Sequence, residues 1–152
     1  MILRWSMKKQ DLLVFSFLPS AFGIVLMLVM PFLPVGLGVL IGAQIVLVLV
    51  LLVSWWALGR WSAGQDRTPW NSFALLQWWG VMNLVFSFLS GVPVLQNLAQ
   101  AYAGSIGFFF LPLVDFENSV FYLPMQVFLL LLLSSVMFLL GFRTVQNRRN
   151  SL

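Results

Sequence analysis

Residues 35–59 read VGLGVLIGAQIVLVLVLLVSWWALG, a stretch from Val35 to Gly59 without one charged side chain. A helix that crosses a bilayer core needs about 20 such residues, because backbone amides and carbonyls out of reach of water must bond within their own segment. Three further stretches pass the same test without a charge: Leu12–Leu33, Trp70–Val92 and Phe121–Phe142. The pattern predicts an all-α integral membrane protein, four transmembrane helices forming a single transmembrane domain over 1–152.

Composition agrees with that expectation. Hydrophobic residues make up 61% of the chain and charged residues 8%, against about a quarter charged in a typical soluble domain. The polar surface is too small to coat a water-soluble particle of this size. The formal charge is +4, but its basic residues are divided among the chain ends and one short loop. They form no continuous stripe for a phosphate backbone, so no nucleic-acid partner is expected. There is no cysteine and no histidine, which removes disulfides, thiolate or imidazole metal ligation and histidine acid–base chemistry. No metal site and no cofactor are expected.

The boundaries follow from proline and charge. Pro31 and Pro34 break the first long apolar run, since proline has no amide to donate and biases its predecessor away from helix. A tight hairpin is predicted there. Pro19, inside the first span, leaves a carbonyl near Phe15 unbonded and predicts a kink, with Ser16 or Ser20 placed to help satisfy it. Arg4, Lys8 and Lys9 precede the first span, which is too long for a signal peptide and has no small-x-small cleavage pattern after it. It is read as an uncleaved signal anchor.

Orientation follows from lysine and arginine, which short cytoplasmic loops retain during insertion. With the N-terminus inside, Arg4, Lys8, Lys9, Arg60, Arg67, Arg143, Arg148 and Arg149 all fall inside, and the outer connections carry only Asp115 and Glu117. Both termini are expected in the cytoplasm, in a cell (inner) membrane of bacterial type. Trp5, Trp55, Trp56, Trp61, Trp70, Trp78 and Trp79 also fall toward the inner side, as a belt at the headgroup boundary would place them. Thr68-Pro69 reads as the start of the third span.

Residues 93–120 form an outer interfacial or re-entrant segment between the third and fourth spans. Val94, Leu95, Leu98 and Tyr102 recur at helical spacing against Gln96, Asn97 and Gln100, predicting a short amphipathic helix on the outer interface. The following GSIGFFFLPLV, Gly104–Val114, is too short to cross the bilayer. Its Phe108, Phe109 and Phe110, with Asp115 and Glu117 beyond, make a candidate outer contact surface. The two carboxylates also raise an enzymatic alternative, an acid–base pair or a divalent-cation site. No nucleophile, histidine or cation clamp accompanies them, and the chain is read as non-enzymatic, with no catalytic residues.

No ionisable residue lies inside a predicted span, which argues against proton coupling or voltage sensing. The polar resources left are neutral. Gln44, Asn83 and Gln126 fall at comparable depth and are candidates for an interhelical polar cluster; Gln77 lies nearer the inner face. Gly38 and Gly42 make a G-x-x-x-G pair, and Ser16 with Ser20 a small-x-x-x-small pair. These suit close packing of the first two spans on each other, or a homodimer. The expected function is a non-enzymatic accessory, assembly or structural subunit of a larger membrane complex, with the lipid bilayer and a membrane-protein partner or a homo-oligomer as its contacts. The alternative is an oligomeric transporter, channel or lipid-handling protein for a neutral or hydrophobic solute, with Gln44, Asn83 and Gln126 along its path.

Overall fold

The computed structural model describes residues 9–29, 32, 37–64, 69–89, 91–104 and 121–150. Six α-helices occupy them in the order α1 (Lys9–Ser16), α2 (Leu18–Val29), α3 (Leu37–Gly64), α4 (Pro69–Phe88), α5 (Pro93–Ala103) and α6 (Tyr122–Asn150), with no strand among the described residues. At the helical rise α3 and α6 measure about 42 and 43 Å and α4 about 30 Å, whereas α5, at about 16 Å, is too short to cross a bilayer. Helices α3 and α6 are each long and apolar enough to span a membrane. Helix α4 has the length, but the polar residues on its inward side lower its hydropathy.

The first predicted span is broken. Helix α1 ends at Ser16 and α2 begins at Leu18, with Phe17 in a turn whose amide bonds the Val14 carbonyl at 3.2 Å. Pro19 supplies the cause, since it cannot donate to the Phe15 carbonyl one turn back. The nearby serines do not repair the gap as expected: Ser16 Oγ donates to the Leu13 carbonyl at 2.6 Å, and Ser20 Oγ accepts from the Trp79 indole.

Helix α4 stops at Phe88, and the Leu89 and Val92 amides close successive turns onto the Phe86 and Leu89 carbonyls. Val92 is extended, as the residue before a proline must be, and Pro93 opens α5 at a position where its missing amide costs nothing. Helix α6 runs past the predicted end at Phe142 to Asn150, and α3 runs past Gly59 to Gly64.

The hairpin predicted at Pro31 and Pro34 lies outside the described residues. The most extensive contact joins α3 to α6, and α2 packs chiefly on α5, with only a slight α2–α3 contact. Helix α4 lies against α6, α5 and α1. Two glycines form the α3–α6 seam: a Cβ on Gly59 would collide with the Phe138 carbonyl, and one on Gly141 with the Trp56 carbonyl. Gly23 likewise meets the Ala101 carbonyl where α2 crosses α5. Backbone approaches this close are open only to residues without a side chain.

Two apolar clusters fill the interior. Leu12, Trp55, Leu58, Leu76 and Phe138 form one, and Val48, Ala99, Tyr102, Ala103, Val127 and Leu130 the other. The side of α5 turned to the other helices differs in part from the predicted apolar face. Ala99, Ala101, Tyr102 and Ala103 of α5 are buried among helices, while Val94, expected on the apolar face, is 68% exposed.

Candidate functional site

The buried face of α4 is mostly polar. Its buried positions are Ser72, Leu76, Gln77, Gly80, Asn83 and Ser87, so only one carries an apolar side chain. Around them Trp70, Val81, Met82, Val85 and Phe88 face outward. Elsewhere Val39, Val46, Leu49 and Val53 of α3 and Phe128 and Leu132 of α6 are also exposed. Polar groups inside and large apolar groups outside invert the order expected of a water-soluble fold.

Two hydrogen bonds tie this interior across helices. Gln77 Nε2 donates to Ser134 Oγ of α6 at 2.9 Å, and Ser134 donates onward to the Leu131 carbonyl at 2.9 Å, with Gln77 Oε1 3.3 Å away. The Trp79 indole donates to Ser20 Oγ of α2 at 2.8 Å. Both pairs are neutral, so they hold helices together without placing a charge in the interior. Gly80 leaves room beside them for the Tyr102 hydroxyl and Leu131, which a Cβ would meet.

The amide cluster expected from depth is distributed differently. Asn83 is fully buried, but it donates through Nδ2 to the Trp79 carbonyl of its own helix at 2.8 Å and its Oδ1 has no partner. Its carbonyl oxygen is thus withheld from any network with Gln44, which is half-buried, or Gln126, which is buried. The bridging amide is Gln77, and its partner Ser134 carried no signal beyond being one of two adjacent serines in an apolar run.

The small-residue motifs divide. Ser16 and Ser20 are buried, whereas Gly38 and Gly42 are exposed, with nothing within 4 Å of a Cβ built on either. Intramolecular packing at Gly38 and Gly42 is therefore corrected. The tryptophan belt divides too. Trp55 is buried in a core cluster and Trp79 is bonded to Ser20, while Trp70 is exposed and Trp56 lies under the Arg60 guanidinium, 4.7 Å from its ring centre. Phe108, Phe109, Phe110, Asp115 and Glu117 lie outside the described residues.

No group of three or more carboxylates able to hold a metal ion occurs among the described residues. No family model, curated protein or solved structure matches the chain.

Proposed function

We propose that this is an integral inner-membrane protein with four spans, the broken helix α1–α2 and helices α3, α4 and α6, and that it serves as a non-enzymatic accessory or assembly subunit of a larger membrane complex. The observation that carries the proposal is the apolar outer surface of the bundle together with the polar buried face of α4. An outer surface of valine, leucine and phenylalanine suits lipid and the apolar faces of other membrane helices. Inside, Gln77–Ser134 and Trp79–Ser20 give the polar groups to helix–helix cohesion. Both termini lie in the cytoplasm, as the distribution of lysine and arginine requires.

The chain has no native cysteine, so single introduced thiols test the topology. A thiol at Asn147 reacts from the cytoplasmic side and one at Gly91 from the outside; the opposite pattern overturns the orientation. Extraction of native membranes in mild detergent, followed by affinity purification, recovers a stoichiometric membrane-protein partner. A stable monomer without one defeats the subunit assignment.

A second function is favoured by one observation, the unpartnered Asn83 Oδ1 in the bundle interior. An acceptor left free there suits a neutral solute bearing a donor, as the transporter alternative requires. Uptake of neutral solutes into reconstituted vesicles, lost in Asn83→Leu, supports it; no movement of any solute tested removes it.

A further inference from the structure

Helix α5 changes its surroundings along its length. Pro93 and Val94 at its start are exposed, whereas Ala101, Tyr102 and Ala103 at its end are 3%, 1% and 1% exposed. Successive helical residues are turned by about 100°, so three buried in a row leave no side of that end open. A helix lying flat on an interface buries one stripe along its whole length instead.

Glycines on two other helices give the direction of α5. A Cβ on Gly80 would meet the Tyr102 hydroxyl and one on Gly23 the Ala101 carbonyl, while a Cβ on Gly104 would lie 3.6 Å from the Gly23 Cα. Helix α4 ends at Phe88 and only residues 89–92 precede α5. From Phe88 back to Gly80 is about 12 Å along α4, and from Pro93 to Tyr102 about 13.5 Å along α5. The two lengths agree, so α5 doubles back along α4 and ends beside the middle of α4 and of α2.

The face of α4 that receives it is the polar one. Asn83 and Ser87 lie three and seven residues beyond Gly80, spacings that keep one helix face, and are 0% and 3% exposed. Trp79 is turned to Ser20 of α2 and Gln77 to Ser134 of α6. Gly80, Asn83 and Ser87 fall between those two directions, where α5 stands. The broken first span makes room for it: α1 packs on α4, whereas α2, past the turn at Phe17, packs chiefly on α5. Alanine at 99, 101 and 103 keeps the inserted end slim, as close helix packing within a membrane requires.

We infer that α5 is a re-entrant helix, which enters the bundle at the end where α4 stops and plugs that half of the interior over Gly80, Asn83 and Ser87. The assignment depends on α4 being a membrane span, as proposed above, and not on which side is cytoplasmic. Its consequence is that Asn83, whose Oδ1 has no partner, is shut off from water on that side.

The full-length protein, which has no cysteine of its own, is placed in lipid bilayers with one introduced cysteine at a time. Bimane labels at Val94, Asn97 and Gln100 are quenched by lipids carrying a nitroxide at the headgroup or midway along the acyl chain; labels at Val85, Val81 and Trp78 of α4 are the reference, and all six positions are exposed. Quenching passes from headgroup to chain between Val94 and Gln100, about 9 Å apart along the helix, as it does between Val85 and Trp78. A level profile on α5 beside a sloping one on α4 overturns the insertion and makes α5 interfacial. A level profile on both defeats the span of α4 and the insertion with it.

Closure is read by thiol reactivity. A cysteine at Ser87 reacts with a charged, membrane-impermeant reagent about tenfold more slowly than one at exposed Gly91, because reaction needs local opening. Ala99 is 0% exposed, so Ala99→Trp forces α5 outward and restores most of that rate at Ser87. Equal rates at Ser87 and Gly91 in the parent, or an unchanged Ser87 rate with Ala99→Trp, overturn the plug. The quenching profile needs no overpacked variant, so it decides the insertion even where Ala99→Trp fails to fold.

Discussion

The α3–α6 seam yields the most direct test of the packing, through Gly59→Ala and Gly141→Ala. Each added methyl group runs into a backbone carbonyl of the facing helix, that of Phe138 or that of Trp56, and backbone cannot move aside by changing rotamer. Ordinary contact of a Cβ begins at 3.4 Å and the built Cβ atoms lie 2.1 and 2.0 Å from those carbonyl oxygens, so the helices must part by about 1.3 to 1.4 Å at the crossing, loosening Trp55 and Leu58 against Phe138. Overpacking of this kind costs about 1–3 kcal/mol, opposed by up to about 1 kcal/mol from the better helix propensity of alanine. Gly38→Ala supplies the control: it gains the same propensity and meets nothing within 4 Å, so it should be neutral or stabilising. The two seam glycines are also coupled. Once one methyl group has separated the helices the second enters space already opened, and the double variant should fall short of the sum by about 0.5–3 kcal/mol. Reversible unfolding in mixed detergent micelles measures all four proteins. If either seam variant is as stable as Gly38→Ala, or if the double variant is additive, the close crossing of α3 and α6 is refuted.

Three other outcomes are expected. Gln77→Leu and Ser134→Ala should each destabilise the bundle by about 0.6–1.7 kcal/mol, the range for interhelical hydrogen bonds in membranes; because they share one bond, their effects in combination should be less than additive, and full additivity by the same unfolding assay would break the link. Trp79→Phe should cost a similar amount, while Ser20→Ala placed on top of it should cost little more, since the hydroxyl has already lost its indole donor. Gly23→Leu should push α5 off α2 at Ala101, so a single cysteine at buried Ala103 should react with a maleimide several times faster than in the parent; an unchanged rate would show that the α2–α5 crossing tolerates a side chain.

The long apolar helices α3 and α6 were legible in the sequence because a run such as 35–59 without charge permits few alternatives, and the break at Phe17 was legible because Pro19 removes one particular donor. Helix pairing was not. Gly38 and Gly42 carry the recognised spacing and stand open, while the glycines where a Cβ would clash, Gly23, Gly59, Gly80 and Gly141, belong to no G-x-x-x-G pair. Gly59 in particular closed the charge-free run ahead of Arg60; inside α3 its missing side chain serves α6. A G-x-x-x-G pair states only that close approach is permitted, and which face meets a neighbour depends on how every other helix is placed. The polar cluster failed for a related reason. Depth along the helix axis put Gln44, Asn83 and Gln126 at one level, but hydrogen bonding also needs the side chains to face each other, and that rotation selected Gln77 with Ser134. Trp55 and Trp79 read as members of an interfacial belt for the same cause, since axial position alone does not separate a tryptophan facing lipid from one facing α1 or α2.

Cohesion in this bundle takes a different form at each pairing, and the differences suit the proposed membrane setting, in which lipid removes the hydrophobic drive between helices. The α3–α6 pair is held by backbone approach at reciprocal glycines, and α2–α5 by the same device at Gly23. Helix α4 reaches α6 and α2 through neutral hydrogen bonds, and its inward face is accordingly built from serine, glutamine, glycine and asparagine. Each of these interactions is short-ranged and requires its partner atom in place, so a polar group that finds none is conspicuous. At the level of Trp79 and Gln77 the donors are matched, but those of Trp55, Ser62 and Ser72 are not. The contrast runs within one helix, where Gln77 is bonded to Ser134 and Ser72, buried at the end of α4 nearer Pro69, makes no bond.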